Sequence, residues 1–143
     1  MIRKLEKNEF RQAADFSLKV FTYCGVEDFN AEGLETFNSF IYADELMNEF
    51  THYGAFENGK LIGVLGIKNE RKHISLFFIN PEYHRKGIGS KLFDFVLQDQ
   101  PMQELTVNSS SYAVSFYQSI GFEKVSEKQE TNGLKYTPMK RIS

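Results

Sequence analysis

Apolar positions follow a helical period over residues 8–24. Phe10, Ala13, Ala14, Ser17, Leu18 and Phe21 fall at i, i+3, i+4, i+7, i+8 and i+11, which places them on one face of a helix. Asn8 stands at the expected N-cap, and the helix is predicted to end near Cys24. A short strand over 2–5 precedes it and a loop over 25–30 follows. Leu34, Phe37, Phe40 and Ile41 repeat the helical spacing, and Leu46, Met47 and Phe50 are assigned to a further helix. The period then changes. Segments 53–57 and 60–68 flank Asn58-Gly59, a pair that accepts the positive φ angles of a type I′ turn, so they are predicted to form a hairpin. A polar turn over 69–72 leads to a third strand, 73–79, which Asn80-Pro81 ends. Leu76 to Ile79 is apolar at every position, as expected of a central strand covered on both faces.

Gly87 opens a helix to about Gln98 with Ile88, Leu92, Phe95 and Val96 inward, and Pro101 follows it. Residues 104–108 read as a short buried strand. The run Ser109-Ser110-Ser111 offers caps for a helix over 112–120 that Gly121 stops in the left-handed conformation. Strands over 122–128 and 134–140 flank Asn132-Gly133, and Pro138 places the last strand near an edge or end. The order β-α-α-β-β-β-α-β-α-β-β, with no repeat or linker, predicts one α/β domain over residues 1–143, a mixed sheet with helices on both faces.

Composition narrows the function classes. The 143 residues are 41% hydrophobic and 25% charged, which excludes global disorder. Fourteen Phe and seven Tyr without Trp predict a core packed largely by Phe. No apolar run approaches the roughly 20 residues of a membrane span, and the first residues lack a signal-peptide pattern, so a cytoplasmic protein with no membrane partner is expected. Cys24 is the only cysteine, and His52, His73 and His84 are scattered, so no disulfide or metal site is expected. The net charge of −2 argues against nucleic acid as a partner. Charge is nevertheless uneven. No Lys or Arg lies between Lys19 and Lys60, and seven acidic residues stand from Glu27 to Glu49. They are either a solvated helical face or a negative rim that meets a cationic partner.

The stretch with the most chemical information runs from Ile79 through Asn80-Pro81-Glu82-Tyr83-His84-Arg85-Lys86-Gly87-Ile88-Gly89-Ser90 to Leu92. It is a buried strand, a basic loop with two glycines, and a helix. First-turn helix amides have no internal partners, and glycine lets the main chain approach an anion, so the loop suits a phosphate. A glycine pair by itself serves packing as often. The Walker pattern fails because no glycine stands at the required distance before Gly87 and no Gly-Lys-Ser/Thr occurs, while the dinucleotide fingerprint fails at Leu92, where its third glycine belongs.

His84-Arg85-Lys86-Gly87-Ile88-Gly89 resembles the Gln/Arg-x-x-Gly-x-Gly/Ala acetyl-CoA loop of the GCN-five-related N-acetyltransferase (GNAT) family. The later series Asn108, Ala113 and Phe116-Tyr117-Gln118-Ser119-Ile120-Gly121-Phe122 resembles that family's Asn, Ala, Phe-Tyr-x-x-x-Gly-Phe signature. The resemblance implies a single-domain fold with a mostly antiparallel mixed sheet. It implies that main-chain groups of Phe77, Phe78 and Ile79 hold the pantetheine of acetyl-CoA along a splayed strand end, and that amides of His84, Arg85, Lys86, Gly87, Ile88, Gly89 and Ser90 hold its pyrophosphate. Asn108 then contacts pantetheine, and the Tyr117 phenol sits beside the thioester sulfur. His84 departs from the family's usual Gln or Arg. Some relatives place a glutamate base on the strand of Phe77, and counting back along one face reaches Ser75 and His73, which makes His73 the candidate base. The expected activity is N-acetylation of a primary amine by direct attack, the acceptor being a small molecule or a lysine-bearing peptide, with a cationic acceptor favoured by the acidic stretch. The alternative is a CoA-binding regulatory or interaction module with weak turnover. Monomer and homodimer are both open.

Overall fold

A computed structural model describes residues 1–70 and 72–142; Arg71, in the turn expected over 69–72, lies outside the described residues. Strand β1 (Ile2–Lys4) pairs antiparallel with β2 (Phe50–Glu57). Between them lie helices α1 (Phe10–Cys24), α2 (Ala31–Ile41) and the single turn α3 (Asp44–Met47). Asn8 does not cap α1. It sits inside a 3₁₀ turn, Lys7–Glu9, that precedes the helix. The Glu9 carboxylate reaches back to accept from the Glu6 amide at 2.9 Å and from both terminal nitrogens of Arg3 at 2.8 Å, so the Glu6–Glu9 pair closes the 3₁₀ turn and α1 continues from it without a side-chain cap of its own. Asn30 is the N-cap of α2, its side-chain oxygen accepting from Gly33 N at 2.9 Å. Phe50 is not on a helix but opens β2, buried in the sheet with its ring 5.7 Å from that of Phe40.

Strands β2, β3 (Lys60–Lys68) and β4 (His73–Ile79) form an antiparallel meander. Asn58 and Gly59 both take positive φ, +51° and +77°, as the two central residues of a type I′ turn must. Helix α4 (Ile88–Asp99), strand β5 (Glu104–Ser109), a 3₁₀ turn at Ser111–Ala113 and helix α5 (Val114–Ser119) follow. The strand expected over 122–128 is divided into β6 (Glu123–Lys124) and β7 (Gln129–Thr131), which pair with different stretches of β8 (Leu134–Ile142). Pro138 lies inside β8 rather than at a sheet edge. Asn108 of β5 pairs with it on one side, and on the other its carbonyl accepts from Val125 N at 3.0 Å. N–H and C=O of one strand residue point the same way, so the missing Pro138 N–H faces the place where β6 stops.

The strand order is β1-β2-β3-β4-β5-β8-β6, antiparallel except for β4 with β5. On one face, Leu92, Phe93 and Val96 of α4 and Tyr117 of α5 pack over Tyr53, Leu65, Ile67, Ile74, Leu105, Val107 and Met139. On the other, α1 and α2 cover Phe50, Leu61, Val64 and Leu76. The sheet is thus mixed, mostly antiparallel, and covered by helices on both faces, with β4 between β3 and β5 in the middle.

A bulge in β4 determines what the middle of the sheet does. Leu76 pairs with Gly66 and Ile74 with Ile67, leaving Ser75 unpaired. An inserted residue bends its strand and reverses the alternation of side chains beyond it. Accordingly Ile74, Phe77 and Ile79 face α4 and α5, whereas Leu76 and Phe78 face α1 and α2. Pairing between β4 and β5 covers only His73 with Thr106 and Ile74 with Val107. Beyond Ile74 the two strands part, and the sheet is open at its centre.

Candidate active site

The loop after β4 is fastened at its start. Asn80 Oδ1 accepts from Glu82 N at 2.9 Å, His84 N donates to Pro81 O at 3.2 Å, and His84 Nε2 donates to Ile79 O at 2.8 Å. The His84 amide is therefore already used, and its imidazole pins the loop to the end of the strand. Arg85 and Gly87 then take left-handed φ, +64° and +80°. The two glycines are required for different reasons. A Cβ on Gly87 would meet nothing within 4 Å, so its left-handed φ is what favours glycine, whereas a Cβ on Gly89 would stand 3.0 Å from Cζ of Phe116. Lys91 N closes the first helical bond on Gly87 O at 3.1 Å. The amides of residues 85–90 donate to no acceptor among the described residues. Exposed Arg85 and Lys86 add positive charge, with the Lys86 ammonium 5.6 Å from the Tyr83 ring centre. Such a loop has donors and charge for an anion and no internal use for them.

A cavity of about 610 Å³ runs from this loop along α5, lined by Ile79, His84, Arg85, Gly87, Ile88, Gly89 and Ser90. A second, of about 380 Å³, lies on the α1 and α2 side and includes Ser75, Phe78 and Asn108 in its wall. Phe77, Tyr112, Ala113 and Tyr117 line both. The two cavities, on opposite faces of the sheet, therefore meet through the gap between β4 and β5.

Tyr117 stands at that junction, 5% exposed, with its ring against Phe77, Phe116 and Phe122 at centroid distances of 6.0, 5.6 and 5.3 Å. Burial, followed by the neighbouring Tyr112, pushes its phenol well above the ordinary range, and the hydroxyl makes no hydrogen bond among the described residues. It keeps its proton and has it free to donate. Tyr112, which the sequence did not single out, has an exposed ring beside His84, while its hydroxyl turns inward to the Cys24 thiol. Burial raises both groups, so neither ionises readily.

The structure does not bring His73 to this junction. It lies outside both cavities, roughly 13 Å along the strand from Phe77, and its Nδ1 lies 2.8 Å from Thr106 Oγ1. The bulge is the physical reason: counting back by twos from Phe77 crosses Ser75, where the alternation reverses. Nor does the acidic stretch form a negative rim to the site. Glu32 and Glu35 are exposed on α2 outside the cavity wall. Asp28, the only carboxylate in the wall of the smaller cavity among the described residues, is 4% exposed. It accepts from Ser111 N and Oγ, each at 2.6 Å, and pairs with Lys128 at 3.3 Å. Nothing in the sequence near Asp28 distinguishes it from its solvated neighbours, because its partners are distant in the chain.

Among the described residues no group of His, Cys, Asp or Glu is arranged to hold a metal ion, and no helix is long and apolar enough to cross a membrane.

Residues 25–143 match the acetyltransferase (GNAT) domain family. Over 87 residues the chain is 31% identical to the UPF0157 protein YqkA of Bacillus subtilis (strain 168), a match covering 57% of this chain and 25% of that protein. Over 70 residues it is 37% identical to the peptidyl-lysine N-acetyltransferase YiaC of Escherichia coli (strain K12), covering 48% of this chain and 47% of YiaC. The matches thus span between a quarter and about half of these two relatives. In fold, the chain is similar to the PaiA N-acetyltransferase of Thermoplasma acidophilum solved in complex with coenzyme A, with a TM-score of 0.78 at 21% identity over 100% of this chain and 98% of that one.

Proposed function

Because this chain belongs to the GNAT acetyltransferase family, we propose that it is an acetyl-CoA-dependent N-acetyltransferase that acylates a primary amine by direct attack. The observation that carries this reading is the meeting of two cavities at Tyr117, one entered past unpaired amides and the other from the opposite face of the sheet. A two-substrate transfer needs such a meeting point, since the reacting atoms must be held in contact while each substrate enters separately.

In this reading the amides of residues 85–90, with Arg85, hold the pyrophosphate. Beyond Ile74 the β5-facing main chain of β4 has no strand partner, so the peptide groups of Phe77 and the N–H of Ile79 face the pantetheine arm, while Ile79 O is held by His84 and Phe78 pairs with Val64 of β3. Acetyl-CoA supplies an activated thioester whose thiolate departs. Tyr117 donates a hydrogen bond where that negative charge develops. With its phenol above the ordinary value of about 10 and a thiol near 8.5, full proton transfer from Tyr117 runs uphill, so the residue stabilises the thiolate as a hydrogen-bond donor. Asn108 and Ser75, on the other side of the gap, line the acceptor's approach. No imidazole or unpaired carboxylate lines that smaller cavity among the described residues, so the amine loses its proton to solvent before attack.

Two measurements test the proposal together: thermal stabilisation by CoA, and release of free CoA thiol from acetyl-CoA with a panel of primary amines. Binding at 100 times Kd stabilises by about 2.7 kcal/mol. Absence of stabilisation would overturn the loop assignment, and stabilisation without turnover across the panel would leave a CoA-binding module in place of an enzyme.

A further inference from the structure

We propose that the acceptor is a primary amine carried on an aromatic body and bearing a single positive charge, not a polycation; this rests on the smaller cavity being the acceptor site. Its wall includes Phe21 of α1, Phe37 and Phe40 of α2, Phe78 of β4 and Tyr136 of β8, alongside neutral polar side chains such as Thr36, Asn108 and Thr131. Both oxygens of Asp28 are already engaged. The remaining charged group is Lys135, which makes no ion pair among the described residues. A second ammonium entering here would lose water, find no free carboxylate and approach a lysine, all of which oppose it.

Aromatic walls attract cations only through exposed ring faces. Here the stacked faces of Phe21 and Phe37 cover one another. Phe21 is stacked between Phe29 and Phe37, with centroids at 4.7 and 4.0 Å and interplanar angles of 22° and 12°. Phe78 meets Phe37 edge-to-face at 5.8 Å. The stacked phenylalanines thus form an apolar surface for a ring or hydrocarbon and not a cage for an ammonium. One side of the cavity is also tied down. Asn132 O accepts from Thr36 Oγ1 at 3.0 Å, and Gly133 O lies 2.1 Å from where a Cβ on Gly33 would stand, so the β7–β8 turn is seated directly on α2, backbone to backbone at the two glycines. A volume of about 380 Å³ is near the lower end of small-ligand sites.

The test compares 2-phenylethylamine, Nα-acetyl-lysine amide and spermidine as acceptors at saturating acetyl-CoA, and measures binding of each to the CoA-loaded protein by calorimetry. The expected kcat/KM for 2-phenylethylamine exceeds that of either other amine by roughly tenfold or more. Lys135→Glu, a substitution at an exposed position, should move the spermidine to 2-phenylethylamine ratio towards spermidine by roughly tenfold. Turnover that favours spermidine or the lysine amide would overturn the acceptor class while leaving the transferase reading intact. Preferential binding of 2-phenylethylamine without turnover would support the acceptor class and remove the transferase reading. CoA binding with neither binding nor turnover of any amine would overturn both.

Discussion

Replacing Tyr117 by Phe removes one oxygen from the junction of the two cavities and leaves the ring packed against Phe77, Phe116 and Phe122. The hydroxyl has no partner among the described residues, so its loss costs the resting protein little. Stability should change by no more than about 0.5 kcal/mol, a shift in Tm below about 2 °C for a chain of this size. Turnover should respond quite differently. A hydrogen bond to a charged group is worth about 1.5–3 kcal/mol, and here the charge arises only as the thiolate departs, so the loss falls on the transition state. That corresponds to a fall in kcat of roughly 10- to 150-fold with CoA affinity nearly unchanged. The assay is single-turnover release of CoA thiol, which separates chemistry from product release, alongside CoA binding by calorimetry. The raised phenol carries a pH consequence with a definite sign: the donor is present below its pKa, so Tyr117 contributes no falling limb to kcat below about pH 10. A single-turnover rate within threefold of the parent would refute the role and reduce Tyr117 to packing.

Gly87→Glu should abolish stabilisation by CoA, since it puts a side chain at a φ of +80° and a carboxylate beside the unpaired amides; Gly89→Glu should do so too while lowering the Tm of the free protein, because its Cβ meets Phe116. His73→Ala should leave kcat within twofold and cost about 1 kcal/mol of stability through the lost contact with Thr106, and a tenfold fall in kcat would restore His73 as the base. Arg3 holds the Glu9 carboxyl at about 2, below its ordinary 4.5. The stability this contributes is fully present above pH 4.5 and is lost as pH falls towards 2. Both side chains are partly exposed, so solvent screens the pair and its contribution is small. Acid titration of stability should therefore be flatter in Glu9→Gln, and identical profiles would show the pair to be inert.

What the sequence reveals of this fold is set by how local each determinant is. The boundaries of β3 and β4 and the left-handed residues Asn58, Gly59 and Gly121 are legible because turn chemistry acts over adjacent positions. The loop proposed to hold the pyrophosphate is legible for the same reason: its φ values, glycines and helix start lie within residues 84–91. The smaller cavity, the proposed acceptor site, is not, since its walls come from residues 21–40, 74–78 and 107–117 and from 131–136, and are joined by a backbone contact between Gly33 and Gly133 that no periodicity marks. Asp28 looks like one more solvated acid because Ser111 and Lys128, which bury it, lie far along the chain. The bulge at Ser75 is hidden in another way. In isolation, residues 73–79 are an unbroken strand, and the extra residue exists only relative to the register of β3. That one register shift sends His73 to the wrong face for a base acting beside Phe77. It also stands where pairing with β5 ends, so the bend that misleads a count by twos is the one that opens the sheet for the two cavities to meet. A variant that removed the bulge by deleting Ser75 would restore the simple alternation, extend β4–β5 pairing and close the junction at Tyr117, and loss of turnover with a folded sheet is the outcome this account requires.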